Sequence, residues 1–340
     1  MAATPDTGPK RAFGFWICLA LVVGNTIGSG IFLLSAALAP YGANAVAGWL
    51  VTIAGCLCLA HVFAALARAL PEAGGPYDYI RPALGAPAAF FVMWSYWISS
   101  WVTNAAVSVG AVSYLSSLAP GFFAPFSAGP LAAAGFVILF TLIATRGAKA
   151  SGEVQVATTI LKLLPLIAVV ALAAIVLGGH GEAAGGLAPA PLLPSSVAAA
   201  ATLTLWAMLG FESATMPAGR VRDPQRTVPR ATLVGTFLVG AVYLLVTGAV
   251  FLLLPAAEAA RSPAPLADLI GRYWGPGPAQ LVALFAAISA LGALNGWVFV
   301  QAEVPLALAR SGVFPAAFAR LNRAGTPSSA TRSAAASAAP

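Results

Sequence analysis

Charged residues are scarce in this chain of 340 residues: Asp, Glu, Lys and Arg together make up 8%, against 60% hydrophobic residues. Soluble domains contain about 25% charged residues, so the composition excludes an ordinary soluble globular protein. Histidine occurs twice and cysteine three times, which leaves little material for a metal cluster or a disulfide framework. Cys18, Cys56 and Cys58 fall within apolar runs and are interpreted as small packing residues.

The sequence also lacks the patterns on which enzymes depend. It contains no nucleophile–base pair, metal-ligand cluster or nucleotide-binding loop, so we expect no enzymatic activity, no catalytic residue, no cofactor and no metal. The net charge of +7 does not indicate nucleic-acid binding, because the basic residues are scattered singly between apolar runs.

Eight apolar runs can cross about 30 Å of hydrocarbon as helices, although 128–145 is barely long enough. They lie at 14–38, 43–67, 87–118, 128–145, 154–178, 195–217, 229–254 and 279–304. No strand-period pattern competes with them, so the sequence predicts an all-α membrane protein. The first run is followed at once by a second and is interpreted as a retained helix rather than a signal peptide.

The basic residues predict the orientation. Fourteen of the 17 lie on one side of the predicted membrane: Lys10, Arg11, Arg68, Arg81, Arg146, Lys149, Arg220, Arg222, Arg226, Arg230, Arg310, Arg320, Arg323 and Arg332. Because loops rich in Lys and Arg stay in the cytoplasm, we expect a multi-pass protein of the cell inner membrane with a cytoplasmic N-terminus.

Two of the runs are interrupted by glycine and polar residues. Residues 24–32 read GNTIGSGIF, and residues 206–213, five helices later, read WAMLGFES. Each glycine costs a helix interior about 1 kcal/mol relative to alanine. Unwound backbone at membrane depth is tolerated only where it lines a cavity. Corresponding breaks in two halves therefore indicate the binding site of a secondary transporter built from an inverted repeat.

This spacing predicts the domain organisation. We expect a cytoplasmic tail at 1–13, a first repeat of helices 1–5 at 14–178, and an incomplete second repeat of helices 6–8 at 195–312. Residues 324–340 are a low-complexity tail of Ala, Ser, Pro and Arg that cannot form a span. Residues 71–85, PEAGGPYDYIRPALG, are either a cytoplasmic turn or a re-entrant segment beside a gate.

The first break offers Thr26, Ser29 and Gly30 to a substrate. Its freed N–H groups attract an anion such as a carboxylate, and its freed carbonyls accept an ammonium. The alternative is a kink that only helps small residues to pack closely. In the second break, Glu212 is an ionisable group within a span and hence a functional-site hypothesis, either as a proton sensor or as a gate latch. The alternative is that hydrogen bonds from neighbouring backbone satisfy the Glu212 carboxylate.

Several other side chains in the spans have two interpretations. Trp206 and Trp297 either sandwich a cationic side chain between their ring faces or pack in the core. The polar stripe of Ser99, Ser100, Thr103 and Asn104 either lines a solute path or bonds helix to helix. Lys162 either releases a proton or acts as a fixed cation, unless it extends to the cytoplasmic interface. Glu303 and His61 have no evident partner in the sequence.

At these residues the chain resembles the amino acid–polyamine–organocation superfamily, and within it the antiporters of the arginine/agmatine type. The resemblance is nearly colinear over about residues 14–327. Its motifs are GNTIGSGIFLL, GWLVTIAG, GGPYDYIRPALG, YWISSWVTNAAV, TLWAMLGFESA, VRDPQRTVPRAT, GALNGW and SGVFPAAFARLNRAGTP. It implies twelve helices in a 5+5 inverted repeat with broken helices 1 and 6, of which about eight are present here, and a homodimer for the full-length form.

The resemblance also implies roles for individual residues. Thr26, Trp206 and Leu209 would offer carbonyls to the substrate ammonium, while Ser29 and Gly30 would bind its carboxylate. Trp297 would stack on the cationic side chain, and Ser99, Ser100 and Asn104 would contact its end. The expected gating residues are Trp206, Glu212, Tyr96 as a distal gate and Tyr77 as a pH-dependent gate.

The implied function is exchange of a cationic amino acid for its amine by alternating access. Two departures keep another transport function open: Val107 stands where those antiporters have a methionine, and Lys162 is similar to the helix-five lysine of proton-coupled or sodium-independent members. The alternative is a proton-coupled or exchange permease for neutral amino acids. A truncated membrane protein that transports nothing is the alternative from a different class.

Overall fold

The fold is a bundle of α-helices. The computed structural model describes residues 12–28, 30–70, 73, 75–123, 128–179, 191–262 and 264–327. Within these ranges the helices are α1 Phe15–Thr26, α2 Gly30–Leu38, α3 Ala43–Ala69, α4 Pro76–Leu118, α5 Pro120–Phe123, α6 Ala128–Thr145, α7 Ala148–Gly178, α8 Pro194–Met208, α9 Pro224–Leu253, α10 Ala256–Arg261, α11 Pro265–Trp274 and α12 Pro276–Arg310. In the same ranges the only β-pairing consists of two isolated bridges, Phe13 with Val221 and Leu321 with Pro327.

Local sequence explains where many of the helices begin. Pro76, Pro194, Pro224 and Pro276 each occupy the first turn of a helix, where the missing N–H costs nothing and the fixed φ suits the helix. Inside α4, Gly85 has a φ of +82° and divides the helix into a short first part and a long second part. The part of 71–85 from Pro76 onward is therefore helical, whereas residues 71, 72 and 74 lie outside the described ranges.

Five described helices are long and apolar enough to cross a membrane: Ala43–Ala69, Ala128–Thr145, Ala148–Gly178, Pro224–Leu253 and Pro276–Arg310. The run at 87–118 lies in the part of α4 that follows Gly85, and the two remaining predicted spans differ in shape. The run at 14–38 is divided into α1 and α2, and the run at 195–217 is shorter than predicted, because α8 ends at Met208 and turns follow it.

The central helices bury their apolar residues against one another. Helix α1 packs against α7, α9 and α12, and α12 packs most extensively against α4 and α7. Trp49 of α3 is fully buried against Tyr243 of α9, with ring centroids 5.2 Å apart. The outer faces are also apolar, with exposed side chains such as Leu50, Phe91 and Phe237. An exterior of exposed apolar side chains is unfavourable in water and compatible with the hydrocarbon of a bilayer.

Candidate functional site

The first break lies between α1 and α2. Helix α1 ends at Thr26, Ile27 leaves the helical region with φ −78° and ψ 89°, and α2 begins at Gly30. The hydroxyl of Thr26 donates back to the Val22 carbonyl at 2.7 Å, so it remains part of α1. Ser29 lies outside the described residues. The unwound segment sits among α7, α9 and α12, where its peptide groups find partners from protein rather than from lipid.

Side chains from three surrounding helices donate to the carbonyls that this break frees. Lys162 Nζ donates to Gly24 at 2.6 Å and to Ile27 at 2.5 Å, Trp297 Nε1 to Asn25 at 3.3 Å, Tyr243 Oη to Thr26 at 2.7 Å, and Ser289 Oγ to Gly28 at 3.0 Å. Each carbonyl oxygen has two lone pairs. The Thr26 oxygen accepts from both Tyr243 and the Gly28 N–H at 3.0 Å, so a substrate ammonium there would have to displace one of these donors.

Lys162 does not extend to the membrane interface. Its side chain has no exposed surface, and its ammonium spans the break from Gly24 to Ile27. A buried charge is retained only where it is paired or hydrogen-bonded, and here two carbonyls supply the bonds. Lys162 thus fastens α7 to the interrupted part of α1.

The second break follows α8. Leu209 has an extended conformation, with φ −60° and ψ 137°, and Gly210 has a φ of +115°. A Cβ atom on Gly210 would lie 2.8 Å from the Asn25 carbonyl carbon and 2.8 Å from the Thr26 nitrogen. Only glycine permits both this φ and this close approach. The two breaks therefore touch, backbone against backbone.

Glu212 joins the second break to α4. One carboxylate oxygen accepts a hydrogen bond from the Tyr96 hydroxyl at 3.0 Å, and the other accepts one from the Gly210 N–H at 3.0 Å. The side chain is 8% exposed. The carboxylate is hydrogen-bonded both by the neighbouring backbone and by a tyrosine of α4. These contacts agree with both interpretations of Glu212, a latch between α4 and the second break and a carboxylate satisfied by nearby backbone.

A chain of amides and hydroxyls connects both breaks to α7 and α12, and the sequence analysis did not single it out. Asn25 donates to Ser213 Oγ at 3.0 Å and accepts from Gln155 at 3.1 Å, while Asn295 donates to Gln155 at 3.0 Å. Asn25 and Asn295 both lie within the motifs GNTIGSG and GALNGW, so their positions were visible. Nothing in the sequence marked Gln155.

A cavity of about 320 Å³ opens between α1, α4, α8 and α12. Eight of the candidate residues line it: Thr26, Gly30, Tyr96, Ser99, Trp206, Leu209, Glu212 and Trp297. The remaining described lining is Asn25, Gly28, Val102, Thr103, Ala106, Val107, Ala207 and Ala293. Of these described residues, Glu212 alone is acidic.

The two tryptophans occupy different environments in this cavity. Trp206 is 61% exposed, so it is not a core residue, and its ring would lie 3.2 Å from a Cβ atom on Gly30. Trp297 is 6% exposed, and its ring centroid lies 6.3 Å from that of Tyr96. The Trp206 indole thus covers the first break from the exposed side of the cavity, and the Trp297 indole forms a buried wall.

Besides Lys162, three described candidates do not line the cavity. Asn104 is fully buried and donates to Gln301 of α12, and Ser100 is fully buried and donates to the Tyr96 carbonyl at 2.9 Å. The structure does not place either beside the cavity, because both occupy the face of α4 that packs on α12. Tyr77 is 1% exposed and lies in an apolar cluster with Trp97 and Met216.

Glu303 has a partner that the sequence did not reveal. Its carboxylate lies 2.7 Å from Nε of Arg220, and both side chains are buried. The two residues are 83 positions apart, so no local pattern in the sequence could have paired them.

Comparison with known proteins places the chain among transporters. A family model described as amino acid permease matches residues 13–335. The chain is 34% identical over 325 residues to the cadaverine/lysine antiporter of Escherichia coli (strain K12), with 93% of this chain and 71% of that protein covered. It is 29% identical over 313 residues to the putrescine transporter PotE of the same strain, with 90% and 70% covered.

Proposed function

The chain belongs to the amino acid permease family, and on that premise we propose that it exchanges a cationic amino acid for its amine across the inner membrane by alternating access. The family and the apolar helices make it a multi-pass membrane protein and a transporter rather than an enzyme. The relative at 34% identity is an antiporter of lysine and cadaverine, a cationic amino acid and its amine. This pairing supports the proposed substrate class.

The observation that best supports the proposal is the cavity that both breaks share with the two tryptophans. Unwound backbone supplies polar groups for an amino acid's own ammonium and carboxylate. Indole faces attract a cation within about 6 Å, which is worth about 2 kcal/mol when the cation is desolvated. Trp206 and Trp297 both line the cavity, so one substrate can contact backbone at one end and indole at the other.

We assign the backbone end of the substrate to the breaks. The ammonium would bind the carbonyls of Thr26, Trp206 and Leu209, and at Thr26 it would displace the Gly28 N–H or the Tyr243 hydroxyl. The carboxylate would bind at Ser29 and Gly30, where α2 begins. The positive end of a helix dipole favours an anion at such an N-terminus.

We assign the side-chain end of the substrate to Trp297 and Ser99. Ser99 lines the cavity, whereas Asn104 and Ser100 would reach substrate only if α4 and α12 separate and the Asn104–Gln301 bond breaks.

The gating assignments rest on contacts between helices. Tyr96 and Glu212 join α4 to the second break, so their separation would accompany opening toward the cytoplasm. Trp206 would close over Gly30 from the side of the cavity opposite the Tyr96–Glu212 contact. Lys162 would hold the first break in shape, in the place where another transporter binds a cation, and Tyr77 would act beside the start of α4.

The same proposal includes the organisation of the whole chain. Residues 14–178 would form one repeat and 195–312 part of the second, with breaks at equivalent places, and the tails 1–13 and 324–340 would lie in the cytoplasm. Charge asymmetry between loops supports this orientation.

The direct test is exchange in proteoliposomes. Vesicles loaded with cadaverine or agmatine should take up radiolabelled lysine or arginine, and unloaded vesicles should not, because exchange needs a counter-substrate. A Trp297→Ala variant should need a higher substrate concentration for the same uptake while still inserting in the membrane. Uptake equal to that of protein-free liposomes for every pair of amino acid and amine would contradict the proposal.

A neutral amino acid is the second candidate substrate, and one feature of the cavity favours it. Val102, Ala106, Val107 and Ala293 form an apolar part of the lining, where a cationic group would find no charged partner. Excess leucine or alanine would then block labelled uptake as well as unlabelled lysine does. For the proton-coupled form, Lys162→Ala should change how transport depends on pH; intact, unchanged transport would argue against it.

A further inference from the structure

A buried ion pair lies outside the proposed substrate cavity. Arg220 Nε and Glu303 Oε2 are 2.7 Å apart, and the two side chains are 2% and 5% exposed. Arg220 belongs to the 3₁₀ turn Ala218–Arg220 that ends the segment after the second break, and Glu303 lies on α12, six residues after Trp297. The pair therefore connects the far side of a broken helix to the helix that forms one wall of the cavity.

Segments next to both broken helices meet at this pair. The Phe13 N–H donates to the Arg220 carbonyl at 3.0 Å, and the Arg222 N–H donates to the Phe13 carbonyl at 2.8 Å. Phe13 lies two residues before the start of α1, and its ring centroid lies 5.4 Å from that of Phe299 on α12. Arg220 Nη1 also donates to the Gly325 carbonyl at 2.9 Å. The guanidinium thus joins the segment after the second break to α12 and to Gly325 beyond it, while the backbone around Arg220 bonds that segment to Phe13 and so to the start of α1.

The pair is incompletely satisfied. Arg220 Nε, Arg220 Nη2 and Glu303 Oε1 are buried and have no hydrogen-bond partner among the described residues, so the 2.7 Å approach of Nε to Oε2 is a charge contact without hydrogen-bond geometry. A buried ion pair of this kind contributes little net stability, and apolar residues of similar size often stabilise a protein more. A contact that serves only for stability would be better made by apolar side chains.

Water can reach the pair if it opens. A cavity of about 230 Å³ is lined by both members of the pair together with Asp78, Arg310 and Ser311. Charged groups that separate into such a polar space regain hydration, whereas separated apolar groups would not. An ion pair at this place can therefore open and close at lower cost than an apolar contact.

We propose that Arg220 and Glu303 are positioning residues that hold the segment after the second break against α12 on the cytoplasmic side, and with it the start of α1 through the backbone bonds to Phe13. The two residues separate when the site opens inward. The inference rests on the proposed alternating access. It adds a second closure to the Tyr96–Glu212 contact, at the opposite end of the segment that follows the second break.

The decisive variant replaces both charges, Arg220→Met with Glu303→Leu. It should be at least as thermally stable as the original protein, because no charge is left buried without a partner. It should exchange about tenfold more slowly, because the apolar contact stabilises the closed state and so raises the free energy needed to open it in each transport cycle. Arg272→Met with Glu258→Leu is the matched control, since that pair has the same kind of contact at 2.9 Å but is 41% and 52% exposed.

The state of the closure is measured separately with a thiol probe. Ala293→Cys places a thiol in the substrate cavity, in a background where Cys18, Cys56 and Cys58 are alanine. A membrane-impermeant thiol reagent is added to inside-out vesicles. Labelling should be about tenfold slower in the apolar double variant, and faster in Arg220→Lys, which retains one charge contact but loses the Gly325 bond.

Four outcomes are distinguishable. Slow exchange with slow labelling and unchanged stability supports the proposal. Exchange and labelling within about twofold of the original protein, as expected for the exposed pair, would show that Arg220–Glu303 is only structural. If the apolar variant does not fold, equal labelling of Arg220→Lys and the original protein overturns the proposal. Absent exchange in the original protein would instead contradict the proposed function.

Discussion

The contact between the two breaks can be tested with a single added methyl group, Gly210→Ala. In the structure, a Cβ atom at Gly210 lies 2.8 Å from two backbone atoms of Asn25 and Thr26. Backbone cannot rotate away as a flexible side chain can, so the breaks must move apart. Alanine also opposes the φ of +115° at this position.

The expected effect follows from these distances. Ordinary van der Waals contact begins at 3.4 Å, so the two backbone segments must separate by 0.6 Å. The unfavourable φ adds about 1–3 kcal/mol of strain. A misplacement on the order of 1 Å can reduce the rate of a positioned step about a hundredfold. We therefore expect exchange by Gly210→Ala to fall between about ten- and a hundredfold.

The assay needs a control that has the strain without the contact. Gly275, between α11 and α12, has a φ of +87° and no heavy atom within 4 Å of its added Cβ. Gly275→Ala should lower thermal stability by a similar amount and leave exchange nearly intact. Both variants are compared for lysine or arginine exchange in proteoliposomes and for melting temperature in detergent.

The reasoning would be refuted by a simple result. If Gly210→Ala and Gly275→Ala exchange at the same rate, contact between the two breaks does not determine the substrate site. Loss of exchange in both variants would point to backbone strain in general.

The remaining predictions concern side chains around the same cavity. Lys162→Met removes the lysine bonds to the Gly24 and Ile27 carbonyls and leaves Ile27 only the 3.4 Å bond from Ser289. An unpaired buried carbonyl costs about 1–3 kcal/mol, so both melting temperature and exchange should fall; unchanged values would mean that the lysine is dispensable. Tyr96→Phe removes the hydrogen bond to Glu212 but keeps the ring, and we expect faster efflux of preloaded substrate into substrate-free buffer, with no change in efflux as the contrary result. Trp297→Ala should weaken binding of a cationic substrate by about two- to thirtyfold, the equivalent of 0.5–2 kcal/mol, whereas equal affinity by calorimetry would exclude a role for the indole.

The two interruptions could be predicted from the sequence because glycine affects the backbone conformation locally. Gly24, Gly28 and Gly30 weaken a helix wherever it packs, and Gly210 permits a φ that other residues avoid. The predicted span at 195–217 was too long, since its apolar residues continue past the point where α8 ends at Met208. Apolar composition indicates burial, but it does not show where helical geometry stops.

Individual partners could not be predicted, because they depend on how each helix is rotated and how deep it lies. Asn104 belongs to the polar stripe expected to meet substrate, yet it faces Gln301 on α12. Ser99, five positions earlier, lines the cavity. At 3.6 residues per turn the two side chains project about 140° apart around α4, and the sequence of α4 alone does not specify which of these directions faces the cavity.

The sequence by itself determined an apolar helical chain with two unwound points, because chain composition and glycine conformation act over a few residues. Only the tertiary structure decided that these points touch at Gly210, that Lys162 spans the first of them, and that Arg220 pairs with Glu303. Each of those contacts joins residues more than 80 positions apart. They depend on the packing of several helices at once, which no local pattern encodes.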